Sequence, residues 1–286
     1  MNKKVLLTGV SGYIGNHCAV ELLKNGYSVR GSLRNISKSA KIIDTIKKEV
    51  DPKDNLEFCE LNLLNDEGWD DAAKGCDFVM HVASPFINIE PKDENEYIRP
   101  AVDGTMRALK AAKSAGVKRV VLTSSMVSML GNADKSIDVD AETWTNIKGK
   151  NVSAYAKSKT LAEQAAWDFI NAQTEDTKME LAVVNPGPVF GPSLSGDLSG
   201  SSMGMFSQMM QGKMPMVPQA SINMSDVRDI AKIHVLSLEN TEASGKRFIV
   251  TTEKPYAFQD VAKILKSNGY NKAVSYTHLR AHETSL

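Results

Sequence analysis

"KVLLTGVSGYIG", at residues 4–15, joins a short apolar run to three glycines, Gly9, Gly12 and Gly15. A short apolar run that ends at a glycine predicts a buried β-strand. The first glycine permits a sharp turn, the second lets the backbone approach a pyrophosphate, and the third lets a helix pack closely on the strand. Since the glycines lie between the first strand and a following helix, they predict a dinucleotide-binding turn rather than a purely structural one.

The same alternation of short apolar runs and long amphipathic segments continues along the chain. Further strands are predicted in YSVRGSL, NLEFCEL, CDFVMHVAS, VKRVVLTSS and MELAVVNPG. Strands that are apolar throughout are typical of a parallel sheet covered by helices on both faces. Right-handed crossovers between such strands wind the sheet in two directions. The sequence therefore predicts an α/β protein with a doubly wound Rossmann sheet.

The amino-acid composition of the chain changes after Pro192, where Ser, Gly, Met and Pro become frequent. We expect a cofactor-binding domain that also carries the catalytic residues over residues 1–185, and a smaller substrate-binding lobe over residues 186–273. Residues 274–284, VSYTHLRAHET, resemble the in-frame translation of a transposase-type sequencing adapter. We therefore expect residues 274–286 to be a non-native tail, the lobe to be incomplete, and an apolar patch to be exposed on it.

Bulk composition narrows the range of partners and locations. The formal net charge is zero, which argues against a nucleic-acid partner because such proteins normally carry a basic face. No apolar stretch is long enough to span a membrane, and the N-terminal apolar run is too short for a secretory signal. The three cysteines are odd in number and lack metal-ligand spacing, so we expect reduced thiols, no metal site and a cytoplasmic protein.

The second predicted strand indicates which dinucleotide is bound. An NAD site usually ends this strand with an acidic residue for the ribose hydroxyls. Here the run SVRGSLRNISKSAK has no acid, and it places Arg34, Lys38 and Lys41 just after the strand. An arginine there can hold a 2′-phosphate through a charge-assisted contact. The pattern favours NADP(H), although a solvated basic helix start would look the same.

A tyrosine and a lysine give the candidate chemistry. Tyr155 and Lys159 are four residues apart on a predicted helix and so share one face. A nearby ammonium lowers the pKa of a phenol, so Tyr155 can give a proton to a carbonyl oxygen. Ser124 and Ser125 follow the fifth predicted strand, at the edge where doubly wound sheets bind ligands. One of these hydroxyls is the candidate for orienting the carbonyl.

Together these motifs resemble the extended short-chain dehydrogenase/reductases. The resemblance is to the branch of dihydroflavonol reductase, cinnamoyl-CoA reductase and the yeast-type methylglyoxal and ketone reductases. It runs from Lys3 to about Tyr270 and rests on TGVSGYIG, HVASP, VKRVVLTSS, YAKSKTLAEQAAW, NPGPVFGP and SDVRDIAKIHV. It implies a catalytic set of Ser125, Tyr155 and Lys159.

The resemblance also implies the cofactor contacts. Arg34 and Lys41 match the 2′-phosphate contacts, Pro186 and Val189 the backbone near the nicotinamide carboxamide, and Ser201 or Ser202 a loop serine. The remaining implied contacts are Gly9, Gly12, Tyr13, Ile14, Gly15, Asn62, Leu63, Val82, Ala83, Ser84, Tyr155 and Lys159. Asn62 departs from the family, which usually has an aspartate before the leucine to hold the adenine amino group. An amide oxygen can still accept that hydrogen bond.

The resemblance implies NADPH-dependent reduction of a ketone or aldehyde on a hydrophobic or aromatic small molecule, by a monomer or homodimer. His81 and His234 are given no proton-transfer role, and the methionines of residues 203–216 are divided between core and an apolar substrate pocket. Two alternatives remain open: an NAD-dependent sugar-nucleotide epimerase or dehydratase on the same scaffold, and a non-catalytic NADP-binding sensor. The basic residues after the second strand disfavour the first, and the presence of Tyr155 and Lys159 disfavours the second.

Overall fold

The structure of the protein, a computed structural model, describes residues 2–85, 91–131, 138–174, 178–214 and 216–273, without the side chain of Ser201. Its strands are β1 (Lys4–Thr8), β2 (Ser28–Leu33), β3 (Leu56–Glu60), β4 (Phe78–His81), β5 (Arg119–Thr123), β6 (Glu180–Pro186), β7 (Val189–Phe190), β8 (Ser221–Ile222), β9 (Ser225–Asp226), β10 (Lys246–Val250) and β11 (Tyr256–Ala257). Its helices are α1 (Tyr13–Lys24), α2 (Ser39–Lys47), α3 (Trp69–Ala73), α4 (Asn95–Ser114), α5 (Val127–Leu130), α6 (Ala154–Asn171), α7 (Ser201–Met210), α8 (Val227–Glu239) and α9 (Phe258–Ser267).

The main sheet has seven strands in the order β3-β2-β1-β4-β5-β6-β10 within the described ranges. Every neighbouring pair in it is parallel. The strand order reverses between β1 and β4, and ligands of such sheets bind outside the carboxyl ends of the strands at this point. The predicted doubly wound sheet is confirmed.

Both faces of this sheet are buried at its central strands, because successive side chains there pack into opposite layers. Val5 and Leu7 of β1 belong to a core cluster with residues of α1, α2 and α8. Leu6, between them, belongs to a second cluster with residues of α3, α4 and α6. This alternation explains why the central strands are apolar at every position rather than at every second one.

The chain does not divide in space at residue 186, where the sequence places a domain boundary. Helix α8 and strand β10 come after that position, yet α8 packs in the first core cluster and β10 pairs with β6 as the seventh strand of the sheet. The described remainder of the later chain forms a third, smaller cluster in which α7 and α9 supply Met209, Phe258 and Val261. Met205, Met214 and Met224 pack against it, so these methionines serve as core.

Several large side chains of the later chain remain exposed, namely Met216, Leu236, Tyr256, Ile264 and Tyr270. The expected non-native tail, residues 274–286, lies outside the described residues. Among the described helices, none combines the length and the apolar character that crossing a bilayer requires.

Candidate active site

The glycine turn between β1 and α1 leaves no room for side chains at two of its three glycines. Gly9 has a φ of +71°, and a Cβ there would lie 2.9 Å from the Cα of Ala83. A Cβ on Gly15 would lie 2.1 Å from the carbonyl oxygen of Gly9. The Gly12 amide donates to that same carbonyl oxygen at 2.9 Å. The turn is therefore tight enough for backbone to approach a diphosphate at the N-terminus of α1.

A threonine that the sequence reasoning missed joins this turn to the segment after β4. The Thr8 hydroxyl oxygen accepts from the amides of Val82 and Ala83, each at 3.1 Å. Because both of its lone pairs are then used, its hydrogen points to Nδ1 of His81, 2.9 Å away. Ser84 follows and is exposed. Thr8 therefore holds residues 82–83 beside Gly9.

His81 is neutral in this arrangement. Burial lowers the pKa of His81 to about 3, and the positive charge of Lys159 adds to the effect. Its Nδ1 accepts from Thr8, so the ring proton is on Nε2. With its pKa this low, His81 does not take up a second proton near neutral pH, and its role as a packed residue stays a prediction.

His234 is likewise a packed residue of α8. Its Nδ1 donates to the Ile230 carbonyl at 2.8 Å, since a carbonyl oxygen only accepts, and Nε2 accepts from the Thr123 hydroxyl at 2.6 Å. Burial lowers the pKa of His234 to about 4.

The first turns of α1 are tied to residues 191–192. The Tyr13 hydroxyl donates to the Gly191 carbonyl at 2.9 Å, and His17 Nε2 donates to the Pro192 carbonyl at 2.9 Å. Ile14, between them, packs on the first core cluster. The Tyr13 hydroxyl therefore holds the segment after β7 against α1.

The basic residues after β2 face solvent. Arg34, Lys38 and Lys41 are exposed. Within the described ranges, no hydrogen bond or ion pair of the Arg34 side chain is found. The backbone beside it is fixed, because the Ile36 amide donates to Glu60 Oε2 at 3.1 Å. An unpaired guanidinium at the carboxyl end of β2 fits a 2′-phosphate.

The Asn62–Leu63 pair follows β3. The Asn62 side-chain oxygen already accepts from the Leu64 amide at 3.0 Å, which leaves one lone pair for an adenine amino group. Leu63 packs against α4, where a Cβ on Gly104 would lie 2.7 Å from Leu63 Cδ2. The Asn62 side-chain oxygen can therefore still accept the one hydrogen bond from adenine that the sequence predicts.

The structure separates the roles of the two strand-end serines. The Ser125 hydroxyl lies close enough to the Tyr155 phenol to lower the pKa of that phenol. The Ser124 hydroxyl instead donates to Oε2 of Glu163 at 2.5 Å, and Glu163 is fully buried. Ser125 thus faces the tyrosine and Ser124 faces the interior.

Burial dominates the electrostatics of the tyrosine–lysine pair. It raises the pKa of Tyr155, the Ser125 hydroxyl lowers it, and Tyr97, whose ring centroid is 6.1 Å from that of Tyr155, raises it. Burial also lowers the pKa of Lys159 to about 8, against the effect of the Glu163 carboxylate. Lys159 Nζ lies 6.0 Å from the centre of the Tyr155 ring. Near neutral pH, both side chains therefore carry protons.

The other implied cofactor residues lie at the same sheet edge or beyond it. Pro186 ends β6, and its carbonyl accepts from the Met126 amide at 2.8 Å, directly after Ser125. Val189 begins β7, which pairs with β9. Ser201 and Ser202 begin α7. Among the described residues, no hydrogen bond joins the Ser202 side chain to the glycine turn or to Tyr155, and its cofactor contact stays a prediction.

Sequence reasoning also missed two charged residues behind the tyrosine. Glu163 and Arg247 form a buried ion pair with Oε1 and Nε 2.6 Å apart. Glu163 had a signal, since it follows Lys159 by four residues on the same helix face. Arg247 had none, because its partner lies 84 positions away.

Comparison with known proteins places this geometry in a family. The profile of the NAD dependent epimerase/dehydratase family matches residues 5–251. The chain is 35% identical over 269 residues to cinnamoyl-CoA reductase CAD2 of Medicago truncatula, covering 92% of this chain and 79% of that protein. It is 31% identical over 283 residues to the NADPH-dependent methylglyoxal reductase of Saccharomyces cerevisiae, covering 92% of this chain and 82% of the yeast protein.

Solved structures give the same result. The crystal structure of yeast methylglyoxal/isovaleraldehyde reductase complexed with NADPH matches with a TM-score of 0.82 at 30% identity, covering 93% of this chain and 82% of that one. The resemblance predicted from the sequence motifs is confirmed. The chain belongs to the NAD dependent epimerase/dehydratase family.

Proposed function

We propose that the protein is an NADPH-dependent oxidoreductase that reversibly reduces the carbonyl of a ketone or aldehyde on a hydrophobic or aromatic small molecule. The observation that carries the proposal is the proximity of the Ser125 hydroxyl, which lowers the pKa of Tyr155, and of the buried Lys159 ammonium, 6.0 Å from the Tyr155 ring centre. Relatives that cover most of the chain are named as reductases, two of them as NADPH-dependent.

The proton comes from this chain. When bound, the reduced nicotinamide supplies a hydride to the carbonyl carbon. Tyr155 gives its phenolic proton to the carbonyl oxygen, and Ser125 donates a hydrogen bond that orients the same oxygen. Lys159, protonated near neutral pH, stabilises the phenolate that remains until solvent returns the proton. The product is the alcohol, and the same groups serve the reverse reaction.

We assign NADP(H) rather than NAD(H) to the glycine turn and the basic residues after β2. Arg34 and Lys41 supply positive charge where a ribose 2′-phosphate lies in such sheets. The other proposed contacts lie around the same sheet edge and at the start of α7: Gly9, Gly12, Tyr13, Ile14, Gly15, Asn62, Leu63, Val82, Ala83, Ser84, Pro186, Val189, Ser201 and Ser202.

We propose that the part of residues 186–273 outside the main sheet and α8 binds the substrate, and its side chains support an apolar one. The ring centroids of Phe190 and Phe206 are 4.1 Å apart. Phe190 directly precedes Gly191, whose carbonyl accepts from Tyr13 of α1. Phe206 packs against the third core cluster. Polarizable methionine and aromatic side chains adapt to flat hydrophobic groups.

The test is cofactor oxidation by the purified protein. Absorbance of NADPH is followed with aromatic and aliphatic ketones and aldehydes, methylglyoxal among them, and Tyr155→Phe is run as the matched control. We expect consumption of NADPH with at least one carbonyl by the unchanged protein only. No NADPH consumption by the unchanged protein with any carbonyl of the panel, although it binds NADPH, would refute the proposed activity, and equal consumption by both proteins would refute the role of Tyr155.

The cellular location is proposed from the cysteines, and the oligomeric state from the family resemblance. Cys18, Cys59 and Cys76 are all unpaired, which supports a reducing compartment and hence a cytoplasmic location. A monomer or homodimer is proposed from the family resemblance, and light scattering of the purified protein measures it.

A further inference from the structure

A buried carboxylate lies directly behind the strand-end serines. Glu163 is fully buried on α6, one turn after Lys159. Its Oε2 is within hydrogen-bond distance of Ser124 Oγ, of Ser128 Oγ at 2.7 Å and of Asn185 Nδ2 at 2.8 Å. Its Oε1 accepts from Arg247 Nε at 2.6 Å. A buried charge is tolerated only when it is paired and its lone pairs are occupied, as they are here.

The groups that satisfy this carboxylate also hold the backbone of Ser125. Ser128 Oγ lies 2.8 Å from the Ser125 carbonyl oxygen, and Asn185 Nδ2 lies 3.4 Å from it. Ser124 is the adjacent residue. Contacts on both sides of Ser125 therefore converge on one carboxylate, so the position of the Ser125 hydroxyl depends on where that carboxylate is held.

The guanidinium of Arg247 reaches further, to the loop before α6. Its Nη1 donates to the carbonyls of Ala141 and Thr143, each at 2.8 Å, and its central carbon lies 3.7 Å from the centre of the Trp144 ring. Thr145 then joins this loop to α5, since its amide donates to the Ser128 carbonyl at 2.8 Å. Residues 141–145 belong to the segment between Ser125 and Tyr155. Arg247 therefore holds this segment as well as the Glu163 carboxylate.

We infer that Glu163 and Arg247 form a positioning pair for the reduction, one that holds Ser125 against Tyr155 and fixes residues 141–145 beside α5. The inference rests on the proposed function. Both residues act through others and are not placed on the substrate. The arginine fork is required, because a lysine ammonium cannot reach one carboxylate and two carbonyls in fixed directions.

The chain offers a matched control at the other end of β5. Arg119 is also buried, pairs with Glu180, and donates from Nη1 to the carbonyls of Ser237 and Asn240 at 2.8 and 2.7 Å. It lies five residues before Ser124, about 16 Å along the strand. Arg119 thus makes the same kind of contacts as Arg247, away from the candidate site.

The first experiment compares Arg247→Lys with Arg119→Lys in the full chain. We expect both to lower the melting temperature. Only Arg247→Lys should lower kcat, by about tenfold to a hundredfold, because small displacements of reacting groups have effects of this size. Its Kd for NADPH should stay close to that of the unchanged protein. A kcat that falls equally in both variants, or in neither, would overturn the inference.

A second measurement does not depend on turnover. Hydrogen exchange is followed in peptides covering residues 124–131 and 138–147. We expect faster exchange there in Arg247→Lys and unchanged exchange in Arg119→Lys. Unchanged exchange in Arg247→Lys refutes the positioning role whatever the activity is, whereas faster exchange in a protein without carbonyl turnover supports the positioning and counts against the proposed function alone.

Should Arg247→Lys fail to fold, Ser128→Ala takes its place. It removes only the hydroxyl that lies between Glu163 and the Ser125 carbonyl. We expect a smaller loss of kcat with faster exchange at residues 124–131, and a kcat and exchange equal to those of the unchanged protein would overturn the inference.

Discussion

The Ser125 hydroxyl lies beside the phenol of Tyr155 and lowers the pKa of that phenol, although 30 positions separate the two residues in the sequence. Strand β5 delivers the serine to the carboxyl edge of the sheet, and α6 delivers the tyrosine to the same place. The adjacent hydroxyl of Ser124 is bonded to the interior carboxylate of Glu163. Two consecutive serines of the same chemistry therefore have different surroundings, and substitution can separate them.

Ser125→Ala should lower kcat more than Ser124→Ala does. Removing one donor to a carbonyl oxygen that gains charge costs about 100- to 1,000-fold in kcat. Ser124→Ala removes one of several donors to Glu163, so its main effect should be on stability, about 1 kcal/mol. Steady-state kinetics and thermal unfolding of both variants measure this. The opposite order of kcat values would show that Ser124 is the catalytic serine.

Tyr155→Phe should abolish most reduction and leave NADPH binding intact. The ring keeps its place and only the proton donor is lost, which should lower kcat by about 100- to 10,000-fold. Lys159→Ala should lower kcat and also weaken NADPH binding, because Lys159 is one of the cofactor contacts that the resemblance implies. Cofactor titration by fluorescence, run beside turnover, separates the two effects. A Tyr155→Phe protein that retains its turnover contradicts the assignment.

Reduction should slow as the pH rises above about 8. Burial lowers the pKa of Lys159 to about 8, so the ammonium is present below this pH and is lost above it. The groups facing it do not titrate in its place: burial raises the pKa of Tyr155 and keeps His81 neutral with a pKa of about 3. The Glu163 carboxylate opposes the downward shift of Lys159. The measurement is kcat/KM for the carbonyl at saturating NADPH, and a rate that is flat to pH 10 would contradict the prediction.

The parts of the site that could be predicted from the sequence are those whose residues lie close together along the chain. The glycine turn is specified within seven residues, and Tyr155 and Lys159 meet because residues four apart on a helix share a face. Tyr155 and Ser125 could be related only through the order of motifs in the family. The Glu163–Arg247 contact could not be predicted, since it exists only because β10 lies beside β6 in the sheet.

The seventh strand shows the same limit at the level of the fold. The sequence predicted six strands and an α/β sheet, but it placed KRFIV in a separate lobe. Strand β10 is at the edge of the sheet and its residues are exposed or only partly buried. An edge strand lacks the continuous apolar run that marks strands buried on both faces. Strand β10 therefore lacks the continuous apolar run by which β5 and β6 were predicted.

Arg34→Ala should reduce the preference for NADPH over NADH. Loss of a charge-assisted phosphate contact costs about 1.5–3 kcal/mol, or roughly ten- to a hundredfold in affinity. NADH, which lacks the 2′-phosphate, should bind as before. Lys47→Ala is the control, because Lys47 is an exposed cation at the far end of α2. If the unchanged protein uses both cofactors equally, or if the two variants behave alike, Arg34 does not read the phosphate.

Gly9→Ala should weaken NADPH binding, and Gly26→Ala should not. Both glycines have positive φ, +71° and +81°, so an alanine at either position is strained by about 1–2 kcal/mol. They differ in their surroundings: a Cβ at Gly26 meets nothing within 4 Å, whereas one at Gly9 would lie 2.9 Å from the backbone of Ala83. Gly9→Ala must therefore displace residues 82–83, which the Thr8 hydroxyl holds beside the turn. Thermal unfolding and NADPH titration of the two variants test this, and equal NADPH affinity in both would mean that this close approach does not shape the cofactor site.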